Sequence, residues 1–288
     1  MEIVVKDLSV VYMPHTPFEK KALSQIDLRI ESGCFVAIAG ATGSGKSTLV
    51  QCLAGLIRPT SGQVQVGDKI FHAGSKSGAA LRKHVGMVFQ YPEHQLFGET
   101  VAKDIAFGLK NRGITEPELD REVQRVMDLT GLSRELSDRS PFHLSGGQMR
   151  RVAIAGILAL KPDILIMDEP TAGLDRQGKR DLFRLLKDLH EKQGLTIILV
   201  THDMNDVAEY ADKVFVLRDG KLALSGTPAE VFGQICIWQE LSLELPQVSQ
   251  LVARINEQLD CPLPYSIFTL EQLEHALAKR LAQREESG

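Results

Sequence analysis

The sequence predicts an α/β fold in which buried strands run into polar, ligand-bearing turns. Three stretches carry that expectation. Phe35-Val36-Ala37-Ile38-Ala39 is an unbroken apolar, β-prone run, the pattern of a strand covered on both faces. A glycine-rich loop follows it, and Ser47 to Ala54 then reads as a helix stopped by Gly55, with Pro59 beyond. Two further apolar runs, Ile164–Met167 and Thr196–Val200, also end in polar residues.

The loop is Gly40-Ala41-Thr42-Gly43-Ser44-Gly45-Lys46-Ser47-Thr48 and fits G-x-x-x-x-G-K-[ST]. Nucleotide β- and γ-phosphates need backbone N–H groups turned inward, and side chains would block that approach. Gly43 and Gly45 remove the obstruction and permit positive φ. Lys46 is a compact positive charge for the β/γ oxygens, and Ser47 offers a hydroxyl to Mg²⁺. A helix that starts inside the loop adds the partial positive charge of its N-terminus. A nucleotide with Mg²⁺ is therefore the expected ligand.

The 288 residues suffice for one large domain and a small appendage. A net charge of −4 gives no general case for nucleic acid, and none is expected as a partner. No apolar run approaches the roughly 18 residues of a membrane span. The start, Met1 to Asp7, lacks the basic and apolar regions of a signal peptide. Cys34, Cys52, Cys236 and Cys261 show no metal-ligand spacing and read as reduced thiols.

Residues 2–12 read as a strand ending at Tyr12, ahead of the nucleotide loop. An aromatic there either stacks on a purine ring or packs the strand. Leu23–Ile30 alternates, and Val64 and Val66 mark another strand, so antiparallel strands accompany the loop-bearing core. Val85–Gln90 is a short strand ending in Gln90, within reach of Mg²⁺ or an attacking water. Tyr91 to Lys110 reads as turn residues with exposed aromatics, and the chain then becomes helical, with Thr115 and Glu118 at capping-box spacing before an apolar face of Leu119, Val123 and Val126.

Leu144-Ser145-Gly146-Gly147-Gln148 is the second strong motif. Ser145 and Gln148 form a capping box, and the two glycines leave backbone N–H groups bare at a helix start, which suits an anion. Ile164–Met167 leads to Asp168 and Glu169. Asp168 is placed to hold Mg²⁺, usually through water, and Glu169 to orient or deprotonate a water at the γ-phosphate. Asp175 lies in the next loop. His202, after the strand Thr196–Val200, is placed to contact the γ-phosphate or position water. Val214–Leu224 reads as a hairpin, and Thr227 with Glu230 caps a short helix. Beyond residue 233, Pro246–Leu259 and the stretch capped by Thr269 and Gln272 read as two amphipathic helices, with a frayed tail from Gln283.

In this order the motifs resemble those of ATP-binding cassette (ABC) ATPases over about residues 1–232. The resemblance implies a P-loop NTPase (RecA-like) core with an antiparallel β subdomain. It adds an α-helical signature subdomain over about residues 91–160 and a small helical C-terminal domain, 233–288, that serves dimerisation. It further implies two such domains meeting head to tail around two ATPs. Ser145, Gly146, Gly147, Gln148 and Asp175 would then act on the nucleotide held by the partner, and Tyr12 would stack on adenine. The loop after Tyr12 is longer than the common pattern, so Phe18 and His15 compete for that role.

A narrower likeness is to the ATPases of energy-coupling factor transporters, importers of vitamins and metal ions. It rests on Phe89-Gln90-Tyr91-Pro92-Glu93-His94-Gln95-Leu96-Phe97, on Val11-Tyr12 with His15–Leu23, and on Gln148–Gly156. These stretches look like the second of the two paired ATPases in such complexes. The resemblance implies a peripheral protein on the cytoplasmic face of the membrane. Its partners would be a second ABC ATPase, in a heterodimer or else a homodimer, a transmembrane coupling subunit and a substrate-binding membrane subunit. The segment Tyr91–Gly98 offers Tyr91, Leu96 and Phe97 as an apolar surface for a membrane helix, and Glu93 as a charge for a basic residue on it. The competing class is a soluble ABC ATPase of DNA repair or translation. Those carry a long coiled-coil insertion or two cassettes in one chain, and this chain has neither.

Overall fold

The computed structural model describes residues 1–234, 238, 241, 243–259 and 262–285, so Cys236, Cys261 and the last three residues lie outside the described residues. The chain divides into two compact units: Met1–Cys34 with Ser47–Val200, and Phe35–Lys46 with Thr201–Gly288.

The first unit holds two sheets. β1 (Ile3–Tyr12), β2 (Lys20–Ile30), β4 (Ser61–Val66) and β5 (Lys69–His72) form an antiparallel sheet in the order β2-β1-β4-β5. Strand β2 buries Leu23, Ile26, Leu28 and Ile30 and exposes Gln25, Asp27 and Arg29, the expected alternation. β6 (Val85–Val88), β7 (Ile164–Asp168) and β8 (Thr196–Val200) pair in parallel, with Val88 opposite Met167 and Asp168 opposite Val200. Every residue of β7 and β8 is buried, which is why these strands read as continuous apolar runs.

Helix α1 (Lys46–Leu53) leaves the glycine-rich loop, and α5 (Arg176–Gln193) connects β7 to β8. The helical subdomain comprises α2 (Val101–Asn111), α3 (Glu118–Leu129) and α4 (Gly146–Leu158), which pack on one another. Two details depart from the sequence reading. α2 occupies a stretch read as turns: Thr100 Oγ1 accepts the Lys103 N–H, and Val101, Ile105, Ala106 and Leu109 bury one face. α3 starts at Glu118 with Pro117 as its N-cap and no side-chain cap. Thr115 serves the helix start through its backbone instead, its carbonyl accepting the Leu119 N–H at 3.1 Å.

The second unit contains β3 (Phe35–Ala39) parallel to β9 (Lys213–Arg218), and β10 (Lys221–Gly226) antiparallel to β9. It adds α6 (Met204–Tyr210) and α7 (Pro228–Phe232), the latter with the expected Thr227–Glu230 capping box. The C-terminal helices are α8 (Gln247–Asn256) and α9 (Leu270–Glu285). They enclose only a small apolar cluster of Val252, Leu263, Ile267 and Leu273. That is too little to hold them alone, and they are tied to the strands of their own unit. Trp238 is buried with Val231 and Phe232, its indole N–H donating to Val231 O at 2.8 Å, and Phe268 packs on Phe232. Asn205 Oδ1 accepts the Gln247 N–H at 2.9 Å, at the start of α8.

Candidate functional site

In the second unit β3 ends at Ala39, and the chain turns through Gly40, Gly43 and Gly45 with φ of +151°, +82° and +104°. These left-handed angles turn successive N–H groups toward one side, a concavity for an anion. Ser44 N–H donates to Ala41 O (3.1 Å) and Gly220 N–H to Ser44 O (3.0 Å), fixing the loop against the β9–β10 turn. Lys46 is buried and its ammonium donates to Gly40 O (2.7 Å) and Ala41 O (3.0 Å). The hydroxyl of Ser44 is buried with no hydrogen-bond partner among the described residues. A Cβ at Gly43 would meet nothing, so ligand space opens there, whereas a Cβ at Gly40 would collide with Leu217 O. Gly40→Ala should therefore distort the loop, costing on the order of 1–3 kcal/mol of stability. Thermal unfolding and an ATP titration check this, and both should deteriorate together. Thr201 N–H donates to Ile38 O (3.3 Å), which brings the exposed His202 to the end of β3.

In the first unit the carboxyl ends of β6, β7 and β8 share one edge by their parallel register. Asp168 is buried as the last residue of β7. Glu169 follows with φ +47°, a strained conformation for a residue with a side chain. Its N–H donates to Val200 O (2.9 Å) and its carbonyl accepts Ala172 N–H (3.3 Å), so the turn holds the strain in place. Gln90 lies exposed two residues beyond the end of β6, followed by Tyr91 with φ +55°. Ser47 and Thr48 lie in the first turn of α1.

Tyr12 Oη lies 3.2 Å from Thr48 Oγ1, so the ring is moored beside the start of α1 and stays 38% exposed. Phe18 and His15 belong instead to a turn closed on itself, by Thr16 Oγ1 on Met13 O (2.7 Å) and His15 N–H on Glu19 Oε2 (2.8 Å). Of the three rings, only Tyr12 is hydrogen-bonded to the phosphate loop's residues.

Ser145 and Gln148 make the expected capping box, and Gly146 and Gly147 have open space where a Cβ would stand. The start of α4 thus presents bare N–H groups to solvent. Asp175 spends one carboxylate oxygen as the N-cap of α5, accepting Gly178 N–H at 2.7 Å. Cys52 is buried and its thiol is pushed up to about 12 by that burial, consistent with an inert thiol.

A profile of ABC transporters matches residues 23–172. The energy-coupling factor transporter ATP-binding protein EcfA2 of Bacillus licheniformis is 47% identical, over 94% of this chain and 95% of that one. The protein of the same name from Acetivibrio thermocellus is 48% identical, over 97% and 98%. The chain belongs to the ABC transporter family, among the energy-coupling factor ATP-binding proteins. Among solved structures, CbiO1 of Clostridium perfringens, described as part of the ABC transporter complex CbiONQ, superposes with a TM-score of 0.73. It is 38% identical, with 87% of this chain and 98% of that one covered. The cassette MJ0796, described as a dimer bound to ADP and Pi, gives 0.69 at 29% identity, with 78% and 98% covered.

One residue of this ATPase that the sequence reading passed over is Arg150. It is 4% exposed, and its guanidinium meets two loops and an acid. Nη1 donates to Pro170 O (2.7 Å), Nη2 to Ala172 O (3.0 Å), and Nη2 lies 3.3 Å from Glu93 Oε2. The available signal was its register: Arg150 precedes Ala153 and Ile154 by three and four residues, on the buried stripe of α4. This also changes the expected docking surface. Glu93 is already engaged internally and Leu96 is buried, whereas Tyr91 and Phe97 are exposed. Phe107 of the unforeseen α2 joins them, edge-on to Phe97 at 4.7 Å between centroids.

Proposed function

We infer that this chain is the ATP-binding and ATP-hydrolysing subunit of an energy-coupling factor ABC importer, powering uptake of vitamins or other micronutrients through a membrane partner. The observation that carries the reading is the near-full-length identity to energy-coupling factor ATP-binding proteins, in a chain whose glycine loop has the geometry of a phosphate cradle. The same likeness speaks against the soluble repair or translation class.

The residues fit Mg²⁺–ATP. Among the described residues no three or more His, Cys, Asp or Glu converge as a metal cage. A nucleotide's Mg²⁺ needs only one or two protein oxygens, with phosphates and water completing the octahedron. Ser47 and Gln90 would supply them, with Asp168 acting through one of the waters. When bound, Mg²⁺ neutralises charge developing on the phosphates. Gly40 to Gly45 offer N–H groups, Lys46 swings its ammonium to the β/γ oxygens, and Thr48 lies next in the helix. Tyr12 stacks on adenine. Glu169 orients the attacking water and takes its proton, and His202 contacts the γ-phosphate. Ser145, Gly146, Gly147, Gln148 and Asp175 act on the nucleotide of a head-to-tail partner.

That partner is a second ABC ATPase, in a heterodimer. Exposed Leu251, Tyr265 and Leu270 on and between the C-terminal helices support a dimer surface in the proposed domain 233–288, beside the nucleotide-binding domain 1–232. Among the described residues no helix is long and apolar enough to cross a membrane. The importer therefore needs a transmembrane coupling subunit and a substrate-binding membrane subunit, with this chain peripheral on the cytoplasmic face. Two features support a docking surface. One is the aromatic group Tyr91, Phe97 and Phe107. The other is a hollow of about 270 Å³ floored by Leu56, Phe89, Ile157 and Leu160, with Arg82 and Lys83 at its edge. Phe97→Asp should spare fold and ATP binding, since the ring is 60% exposed. It should weaken membrane-subunit binding by about 2 kcal/mol or more, roughly thirtyfold. Co-purification with the membrane subunits tests this, and undiminished recovery with normal transport would remove the surface from the account.

A further inference from the structure

The segment after Gln90 and the turn after Glu169 are far apart in sequence, yet they meet at one buried cation. Glu93 belongs to the 3₁₀ turn Pro92–Gln95, and Pro170 and Ala172 to the turn that carries Glu169. Arg150 of α4 reaches all three, at 2.7 Å to Pro170 O, 3.0 Å to Ala172 O and 3.3 Å to the Glu93 carboxylate. Tyr91 also borders this turn, its Cε1 standing 3.9 Å from where a Cβ on Gly173 would be. The far end of the segment is anchored separately: Asp104 Oδ2 accepts the N–H groups of Phe97 (2.8 Å) and Gly98 (2.6 Å). The exposed rings of Tyr91 and Phe97 thus stand on a strap fixed at both ends. Its Glu93 end is joined by charge to the catalytic turn.

A guanidinium is suited to this work. Its planar fork satisfies two carbonyls and a carboxylate in a fixed arrangement, so one group cannot shift without the others following or breaking. The ion pair is largely withdrawn from water, with the side chains of Arg150 and Glu93 5% and 19% exposed, so screening does not soften it. A buried pair of this kind is poor value as a stabiliser and serves better to fix geometry.

We propose that Arg150 is a positioning residue that couples the Tyr91–Phe97 surface to the Pro170–Ala172 turn, so that a partner moving that surface resets Glu169. This rests on the reading of Tyr91–Phe97 as the membrane-subunit docking surface. Neither Arg150 nor Glu93 touches nucleotide in this scheme. Their loss should spare basal hydrolysis and remove its dependence on the partner.

The test is a double-mutant cycle with Glu93→Gln and Arg150→Lys in the intact importer complex, with Phe97→Asp as reference. The readouts are ATP hydrolysis by the ATPase pair without the membrane subunits, ATP-driven transport by the complex in vesicles, and thermal unfolding. Each single variant should lower the unfolding temperature, because a largely buried ion pair is weakened, but keep basal hydrolysis within about twofold, while transport per ATP hydrolysed falls about fivefold or more. The double variant should be no worse than either single one, because both break one link. Unchanged transport per ATP in both single variants, or losses that multiply in the double variant, would overturn the proposal. A fall in basal hydrolysis that matches the fall in transport would also overturn it, by assigning the pair a merely structural role. If Phe97→Asp abolishes assembly while the clamp variants transport normally, the clamp alone is wrong. If Phe97→Asp also assembles and transports normally, the docking surface is wrong.

Discussion

Glu169→Gln is expected to lower ATP turnover by about 10²–10⁴-fold, or about 3–5 kcal/mol in the barrier, while ATP still binds. The amide has the size of the carboxylate and cannot accept the proton of an attacking water. The local backbone should not change. Glu169 is held at φ +47° by its own N–H on Val200 O and by Ala172 N–H on its carbonyl, none of which involves the side-chain head. Binding should persist because the N–H groups of Gly40 to Gly45 and the Lys46 ammonium are contributed by another part of the chain. Single-turnover hydrolysis beside equilibrium nucleotide binding separates the two effects. Turnover within threefold of the unaltered chain, with intact binding, would remove Glu169 as the base.

Ser145→Arg is expected to abolish ATP-driven dimerisation in the Glu169→Gln background, with mononucleotide binding retained. Ser145 is exposed at the start of α4, next to the open space over Gly146 and Gly147. An arginine would fill the space where a partner's γ-phosphate is proposed to enter. The substitution also removes the hydroxyl that accepts Gln148 N–H, a capping loss of about 1 kcal/mol. Ser145→Ala isolates that second effect, since it loses the cap and leaves the space open. Size-exclusion chromatography of this chain together with the second ABC ATPase and ATP should show dimers for Ser145→Ala and monomers for Ser145→Arg. Dimers in both would count against a head-to-tail arrangement.

The parts of the fold legible in the sequence were those governed by local rules. β3, β7 and β8 are buried on both faces and appear as apolar runs, and the caps at Ser145, Thr227 and Thr269 obey short-range spacing. α2 was missed because Gly98 and Thr100 read as turn residues, when Thr100 is the helix cap and Gly98 docks on Asp104. Thr115 misled in the opposite sense: its carbonyl accepts the Leu119 N–H, but Pro117 takes the N-cap position and no side-chain cap forms.

At the site, the motif residues were found from sequence because each has a local chemical signature. Glycines permit left-handed angles, and acids follow apolar strands. The tertiary partners were not legible. The tether of Tyr12 to Thr48 joins residues 36 apart, and Arg150 to Glu93 spans 57, distances at which no periodicity informs. Glu93 was read as a free charge because its exposed neighbours suggested a surface, and only the packing of α4 against that turn pairs it internally.

The central claim is that this chain drives a membrane importer together with a second ATPase. The most direct test is native mass spectrometry of the complex purified from membranes through a tag on this chain. The account predicts one copy of this chain, one of a second ABC ATPase and at least two membrane-embedded chains, with ATPase activity in the recovered complex. Recovery of this chain from the soluble fraction alone, or bound to nucleic-acid-processing proteins, would contradict it.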